Sequence, residues 1–373
     1  MSEPTSRLYE RFLELLSPGP GPAEPPPPGD GREPARARYG ERTDGAGRSH
    51  AVLITRDEWI LDQIDLARSF DQLLTADDVV VVAVPYELSF TGAGVDRAIE
   101  LVGASVISVG TSNTICPMPR LLALIKEYEA TALVCSPSLA TELAGLALAS
   151  EQPLDHSTVR SVICVGEACS RKRLDRIGAA WGARAHALYG TASTPTVAVP
   201  CAFGALHVCD HRLRASVRDV PSGETAPDGA RVRGAVTRGE LLLAAADTGP
   251  PDGESRATGE LVELGPADRG CACGAGSAVL TPLGPVSEAV AARRGPVSAV
   301  DVERVVFDRA ELAPHFACAV REGGFDVTCA VTDGEAVRDG EAKRSLEKRI
   351  RAELDVEADV RIVAVHDWNT AES

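Results

Sequence analysis

The sequence predicts an α/β protein: a large amino-terminal domain with a parallel sheet covered by helices plus a β-rich subdomain, then a small α+β carboxy-terminal domain. Three observations predict this. From Asp78 to Gly190, short apolar runs alternate with helical stretches, the pattern of a parallel sheet buried on both faces. Between Thr196 and Leu283 the helical signal fades, and short strands with Gly, Pro and Asp turns take over. After Gly284, helix and strand signals return over a stretch long enough to enclose a core of its own.

The elements follow in order. Arg7–Leu16 suits a short amphipathic helix, and Ser17–Arg36 is too rich in Pro and Gly to bury much apolar surface, so it reads as a flexible segment. Residues 1–49 therefore read as a short amino-terminal helix with a Pro/Gly-rich flexible segment, 50–283 as the large domain carrying the zinc-bearing β subdomain, and 284–373 as the small one. DDVVVVAVP is a buried strand, Val95–Val102 a helix ending at Gly103, and ASVISVG a strand. Pro117–Tyr128, Ser138–Ala149 and Arg171–Trp181 are helices, with TALVCS, VRSVICVG and ARAHALYG as strands between and after them. The small domain reads as helix Val300–Phe307, strands Phe316–Val320 and Asp326–Thr332, helix Glu341–Leu354 and strand Asp359–Val365. Ligands of such sheets sit at the carboxyl ends of the strands. That gathers Tyr86–Gly94, Ser136–Ser138, Gly166–Ser170 and Tyr189–Thr194 around one crevice.

Composition narrows the function. With 373 residues, 44% hydrophobic and 25% charged, the chain suits two or three soluble domains. A net charge of −16 excludes nucleic acid as the main partner, because phosphate binding needs clustered Lys and Arg. No apolar stretch reaches the roughly 18–20 residues of a membrane span, and Met1–Leu16 lacks a basic start before an apolar run, so a cytoplasmic protein is expected. The ten cysteines are dispersed, which favours free thiols or metal ligands over disulfides. Cys116, Cys135, Cys164, Cys318 and Cys329 fall in or beside apolar runs and read as small core residues.

Cys201, His207, Cys271 and Cys273 form the sharpest candidate site. Three thiolates and an imidazole are a usual structural set for zinc, and with four protein ligands no position is open for water. Cys201 and His207 belong to an expected β-hairpin, and Cys271-Ala272-Cys273 to the Gly-rich turn RGCACGAG, with Cys209 and His211 as nearby alternates.

Six fragments stand in a telling order: SFTGAG (Ser89–Gly94), GEACS (Gly166–Ser170), YGTAST (Tyr189–Thr194), RATGEL (Arg256–Leu261), CACG (Cys271–Gly274) and LAPHF (Leu312–Phe316). Together they resemble the phenylacetate–CoA ligase-like branch of the adenylate-forming superfamily, over roughly residues 50–365. The resemblance implies activation of a carboxylate with ATP to an acyl adenylate, transfer to coenzyme A, and a small carboxy-terminal domain that swings between the two steps. It also implies zinc at the Cys, His and Cys-x-Cys positions, as some members carry it. Tyr86, Phe90, Thr91 and Gly92 would line an aryl or acyl pocket. Glu167 and Cys169 would lie where adenine stacks, and Tyr189, Gly190 and Thr191 at the nucleotide.

The reacting groups of that family are largely replaced. Thr43–Ser49 stands where a Gly/Ser/Thr-rich loop with a Lys cradles phosphates; it keeps two glycines and Arg48 but adds Asp44, and reads as a plain turn or a weak phosphate loop. Ser193 replaces the magnesium-binding Glu, and a hydroxyl is a poor ligand for a hard dication. Glu260 replaces the ribose-binding Asp, or is a strand-edge acid. Gly284-Pro285-Val286-Ser287 lacks the hinge's basic and acidic residues, and no Lys follows Lys348. Losses of this kind cost on the order of 10²–10³-fold in rate apiece.

Cys169 at a helix start reads as a small residue or, if the helix lowers its pKa, a nucleophile. His186 reads as strand packing or a general base. The Asp301–Glu303 acids and the Glu341–Arg351 charges read as solvated helix faces. Three functions stay open: an acid–thiol ligase, an ATP-independent transferase or cyclase acting on a preactivated acyl intermediate, and a non-catalytic partner. The ligand is a small aromatic or acyl compound, ATP, AMP, CoA and magnesium are doubtful cofactors, and a homodimer or a biosynthetic partner protein is admitted.

Overall fold

The computed structural model describes residues 36–43, 49–111, 114–151, 154, 157–191, 193–220, 236–246, 255–265, 271–331 and 340–368. The expected Arg7–Leu16 helix, the Ser17–Arg36 segment short of its last residue, and Asp44–Arg48 lie outside these residues.

The described chain opens with a hairpin, β1 (Arg36–Thr43) antiparallel to β2 (Ser49–Thr55), and a helix, α1 (Arg56–Phe70), none of which the periodicity announces. Helix α1 starts on a capping box: Thr55 Oγ1 accepts from the Glu58 N–H, and the Glu58 carboxylate accepts from the Thr55 N–H. Asp57 and Glu58 add negative charge at the positive end of the helix dipole. Leu66 and Phe70 enter the same core as Ile99 of α2 (Thr91–Val102). Helix α2 begins at Thr91 rather than Val95, because two glycines, poor helix formers, disguise its first turn. It ends where Gly103 adopts φ +92°.

Strands β3 (Val79–Ala83), β4 (Ser105–Ser108), β5 (Ala132–Cys135), β6 (Ser161–Cys164) and β7 (Arg184–Ala187) form a parallel sheet in the order β4-β3-β5-β6-β7. The central strands are buried on both faces, which is why they read as unbroken apolar runs. One face packs on α1 and α2. The other packs on α3 (Met118–Glu127), α4 (Pro137–Ala149) and α5 (Arg171–Trp181). Cys116, Cys135 and Cys164 pack in this second core, as the sequence suggests.

The single strand expected at ARAHALYG divides. Leu188 separates β7 from β8 (Tyr189–Thr191), and β8 belongs to another sheet. That sheet continues with β9 (Thr194–Pro200), β10 (Leu206–Val208), β11 (Leu213–Arg218), β12 (Thr237–Ala245), β13 (Arg256–Gly265) and β14 (Val279–Pro285). It is antiparallel, in the order β11-β12-β13-β14-β10-β9-β8. A hairpin follows, β15 (Val290–Ala292) and β16 (Gly295–Val297), and then α6 (Ala299–Val306). β17 (Leu312–Arg321), β18 (Gly324–Val331), α7 (Gly340–Leu354) and β19 (Glu357–Ala364) complete the chain, with β18 parallel to β19 across α7. Val302, Phe325, Ile350 and Val360 share a separate core here, and Cys329 is buried in it. On α7, Leu346 and Ile350 point inward and most of the charged residues outward. Among the described residues, no helix is long and apolar enough to cross a membrane.

Helix α1 is pinned to the antiparallel sheet by polar contacts. Arg212 donates to Asp65 at 2.9 Å and to the Thr196 carbonyl at 2.6 Å, but reaches Asp62 only at 3.5 Å. Burial therefore dominates at Asp62 and pushes its carboxyl up to about 6, against the pull of Arg212. A folded-state value above the unfolded one means the folded protein takes up the proton first. The stabilisation from that uptake is complete below the unfolded value and disappears as pH rises through about 6. Asp62→Asn should accordingly raise stability by about 2 kcal/mol at pH values well above that point. The gain should shrink towards pH 4, as read from urea midpoints across the range.

Candidate functional site

A cavity of about 820 Å³ opens at the carboxyl end of the parallel sheet, between it, the antiparallel sheet and the carboxy-terminal core. Gly166–Cys169 after β6, Leu188 after β7, and the β8 residues Tyr189–Thr191 form one wall. Glu260 of β13 and Leu280–Pro285 of β14 form a second, and Val300 and Glu303 of α6 with Phe316 of β17 close the third. Phe90 and Thr91 reach the rim. The loops expected around one crevice thus converge, except that Ser138 touches it only indirectly, donating its N–H and hydroxyl to Glu167.

The wall at β8 depends on a glycine. A Cβ on Gly190 would lie 1.7 Å from the Pro195 carbonyl oxygen, so the close approach of β8 and β9 at this point needs a residue without a side chain. Gly190→Ala should separate them and cost about 2–3 kcal/mol, measurable by chemical denaturation.

Other expected pocket residues stand elsewhere. Tyr86 and Gly92 are not on the cavity wall; the Tyr86 hydroxyl donates to Asp96, and a Cβ on Gly92 would lie 2.8 Å from the Tyr86 ring. Gly92 is small because that ring packs on it.

Neither weak catalytic candidate has surroundings that favour the role. Cys169 is buried, and burial pushes its thiol well above the ordinary value, with Glu303 opposing the thiolate further. The helix that follows it, α5, is capped by Ser170, whose hydroxyl accepts from the Arg173 N–H. His186 is buried on β7 behind the cavity wall, and burial lowers its imidazole to about 4. A base so weak is poorly matched to proton abstraction near neutrality.

The cavity is acidic. Glu260 is half-buried, and burial raises its carboxyl, with Glu288 adding repulsion. The Tyr189 phenol is raised by burial and then by the charge of Glu260. Ser193 and Thr191 face each other through hydroxyls 3.4 Å apart, and the Thr191 hydroxyl accepts from the Thr194 N–H. No carboxylate stands at that turn.

The Asp301–Glu303 acids are not a solvated face. Glu303 is 2% exposed and accepts from the Ser170 N–H at 2.5 Å and from Arg173 at 3.4 Å. Asp301 caps α6 through Ser298 and pairs with Arg238; despite burial, those bonds hold its carboxyl below the usual range. Further contacts from α5 to the carboxy-terminal unit surround this pair. Lys172 donates to the Arg304 carbonyl, Arg173 to that of Pro314, and Arg176 to those of Ala310 and Leu312. Cations thus cover the negative end of α6 and the turn after it. Sequence reasoning missed this because each acid's partner lies far along the chain.

Cys201, His207, Cys271 and Cys273 converge as expected. Cys201 follows β9, His207 is on β10, and the two cysteines occupy the turn before β14. Their ligand atoms all lie within 4.8 Å of one another, so they could hold a metal ion. Cys201 Sγ is 3.7 Å from Cys271 Sγ, close to the edge of about 3.8 Å that a tetrahedron of zinc–sulfur bonds requires. Cys273 Sγ is 3.2 Å from His207 Nε2. The other ring nitrogen, Nδ1, lies 3.4 Å from the Ser277 carbonyl, which suits an imidazole presenting Nε2 to an ion. The alternates are engaged elsewhere: His211 pairs with Asp65, and Cys209 is buried with its thiol raised. Cys318 is only partly buried but also raised by its surroundings.

The profile of the family described as AMP-binding enzyme matches residues 47–246, more than half of the chain. The chain belongs to this family. Its architecture, a parallel sheet with further β-sheets and a carboxy-terminal α+β unit, is that of the adenylate-forming ligases, and it is an enzyme of the adenylate-forming type. One similar structure is 2-hydroxyisobutyryl-CoA ligase in the post-adenylation state with R3-HIB-AMP, at 17% identity and TM-score 0.70, over 88% of this chain and 70% of that one. The same ligase in the thioesterification state, with 2-HIB-AMP and CoA, matches with TM-score 0.56 at 17% identity, over 88% and 71%. A benzoate CoA ligase from Burkholderia xenovorans LB400 matches at 17% identity and TM-score 0.62, over 95% of this chain and 69% of that one. No curated protein matches by sequence. At these identities the structural likenesses speak for the fold, and the family assignment rests on the profile.

Proposed function

We propose that this AMP-binding family member is a divergent, phenylacetate–CoA ligase-like protein of biosynthetic metabolism. It handles an activated acyl or aryl group in the cavity beside Tyr189, Gly190 and Thr191, and its ATP-dependent adenylation is weakened. The observation that carries this reading is the β8–β9 turn, where Thr191 and Ser193 present only hydroxyls. Magnesium bridging two phosphates favours anionic oxygen, and the cavity's carboxylates, Glu260 and Glu167 among them, would repel a triphosphate that lacks its cation. The cavity itself is of ligand size and walled partly by Leu188, Leu283 and Phe316. That combination suits transfer or cyclisation of a preactivated acyl or aryl intermediate, with CoA as one candidate carrier. Residues 284–373 form the small domain in this reading, and the ion held by the Cys/His set is a structural zinc. Glu167 and Glu260 are the acids placed to meet a sugar or base.

Calorimetry with an aryl adenylate analogue and with magnesium-ATP tests the reading. The analogue should bind and magnesium-ATP should bind at least about tenfold more weakly. Ser193→Glu, which adds a carboxylate at the turn, should increase pyrophosphate release from ATP in the presence of carboxylic acids. Rapid pyrophosphate release by the unaltered protein would contradict the proposal.

A further inference from the structure

Four residues on the cavity wall hold their backbones in the left-handed region. At Gly166 (φ +95°), Gly204 (φ +78°) and Gly284 (φ +97°) there is no side chain to strain. The fourth is Leu88, at φ +53°. For a leucine this conformation is disfavoured, because Cβ crowds the following carbonyl oxygen. Among the described residues, three other non-glycine residues adopt it: Glu129, Glu151 and Asp355. Each comes just past the end of a helix, α3, α4 or α7, where a left-handed residue is ordinary. Leu88 ends no helix. It lies in the loop between β3 and α2.

The surroundings brace this loop. The Leu88 carbonyl accepts from the Glu41 N–H of β1 at 2.9 Å. Gly40 lets that strand press in, since a Cβ there would lie 2.8 Å from the same oxygen. Beyond Leu88, Gly92 donates its N–H to the Pro85 carbonyl and Thr91 donates its own to the Ser89 hydroxyl. Strain persists where neighbours over-determine it, and residues of this kind cluster at ligand sites. Packing gives no reason for the leucine, because the residue is 60% exposed. An exposed leucine alone is ordinary. Here it is also strained, and it stands on a ligand-sized cavity whose wall meets the same backbone demand elsewhere with glycine. Such a side chain has its use in contact with something outside the chain.

We infer that Leu88 is a specificity-determining residue of this cavity, packing on the apolar acyl or aryl body of the ligand where the cavity meets solvent. This rests on the reading that the cavity handles an activated acyl or aryl group, and it names the feature of that group which is selected. A short acyl group leaves Leu88 in water. An aryl or longer group covers it, and the gain is that of burying apolar surface. The contact adds to those that Phe90, Leu188, Leu283 and Phe316 offer along the wall.

Two substitutions separate the side chain from the backbone that it strains. Asparagine and glycine both accept the left-handed region. Leu88→Asn keeps the size but removes the apolar surface, and Leu88→Gly removes the side chain altogether. Calorimetry on the full chain uses two stable adenylate analogues, sulfamoyl adenosines carrying an acetyl or a phenylacetyl group. The phenylacetyl compound should bind the unaltered protein more tightly, and it should lose about tenfold in affinity in either variant. The acetyl compound should bind all three proteins alike. Neither variant should unfold at a lower urea concentration than the parent, because the strain is relieved. Weaker binding without lost stability is a result that a merely structural leucine would not give. An equal loss for both analogues, an acetyl compound bound as tightly as the phenylacetyl one, or a variant less stable than the parent would each overturn the inference. If the phenylacetyl analogue binds parent and variants equally, the inference falls and the cavity reading stands. If neither analogue binds the parent, the cavity reading falls and takes the inference with it.

Discussion

Metal analysis of the purified protein should find one zinc per chain, and removing it should loosen the middle of the molecule. The four candidate ligands come from two separate stretches, Cys201 and His207 around the β9–β10 hairpin and Cys271 and Cys273 on the turn before β14. β10 pairs with β14 through a single residue pair, His207 opposite Val279. That ladder is too short to hold the two stretches in register by itself, so an ion bonded to both would do much of the holding. Structural zinc contributes directly to folding free energy. A chelator of high affinity should lower the melting temperature by about 5–10 °C, and zinc in excess should restore it. Cys273→Ser should reproduce the loss and abolish the chelator effect, whereas Cys318→Ser on β17, outside the cluster, should leave zinc content unchanged. Protein purified without metal, melting at the same temperature with and without chelator, would refute the site.

What was legible in the sequence follows burial and locality. β3, β5 and β6 announce themselves because both faces are buried and nothing polar interrupts them. Helix α5 is bounded by local signals, Ser170 as its cap and Gly182 at φ +60° after its last turn. The convergence of Cys201, His207, Cys271 and Cys273 was legible because Cys-x-Cys and the hairpin spacing are short-range. Helix α1 was not, since Asp62, Gln63, Asp65 and Ser69 are buried along with its apolar residues and break the expected stripe. Their partners, Arg212 and the Pro200 carbonyl, come from the far sheet. The same blindness applies to Asp301 and Glu303. An acid beside a helix start looks solvated until the distant arginine that buries it is known.

The cavity was legible in outline and misread in detail for a related reason. Glycines in SFTGAG and YGTAST can serve a ligand's approach or shape the fold itself. Gly190 admits the backbone of Pro195, and Gly92 admits the ring of Tyr86. The lining of the site carries several glutamates, and one of them, Glu288 in the turn after β14, belongs to no motif.

Arg173→Met should be among the most damaging single substitutions in the protein. Arg173 and Glu303 are 4% and 2% exposed, so the change leaves a carboxylate buried with the Ser170 N–H as its remaining donor. Breaking one side of a buried pair costs about 3–5 kcal/mol, mostly through the stranded charge. Burial already raises the Glu303 carboxyl against the pull of Arg173, so losing the arginine raises it further. Arg173→Met should then recover part of its stability as pH falls, a trend opposite to ordinary acid denaturation. Adding Glu303→Leu should rescue most of the loss, because paired apolar replacements of a buried ion pair are often neutral. The double-mutant cycle isolates the coupling. Because this pair joins α5 to the carboxy-terminal unit, the single variant should also expose the chain around residues 284–298 to limited proteolysis. An Arg173→Met protein as stable and as protease-resistant as its parent would mean that the lysine and arginine contacts to carbonyls hold that interface without the buried pair.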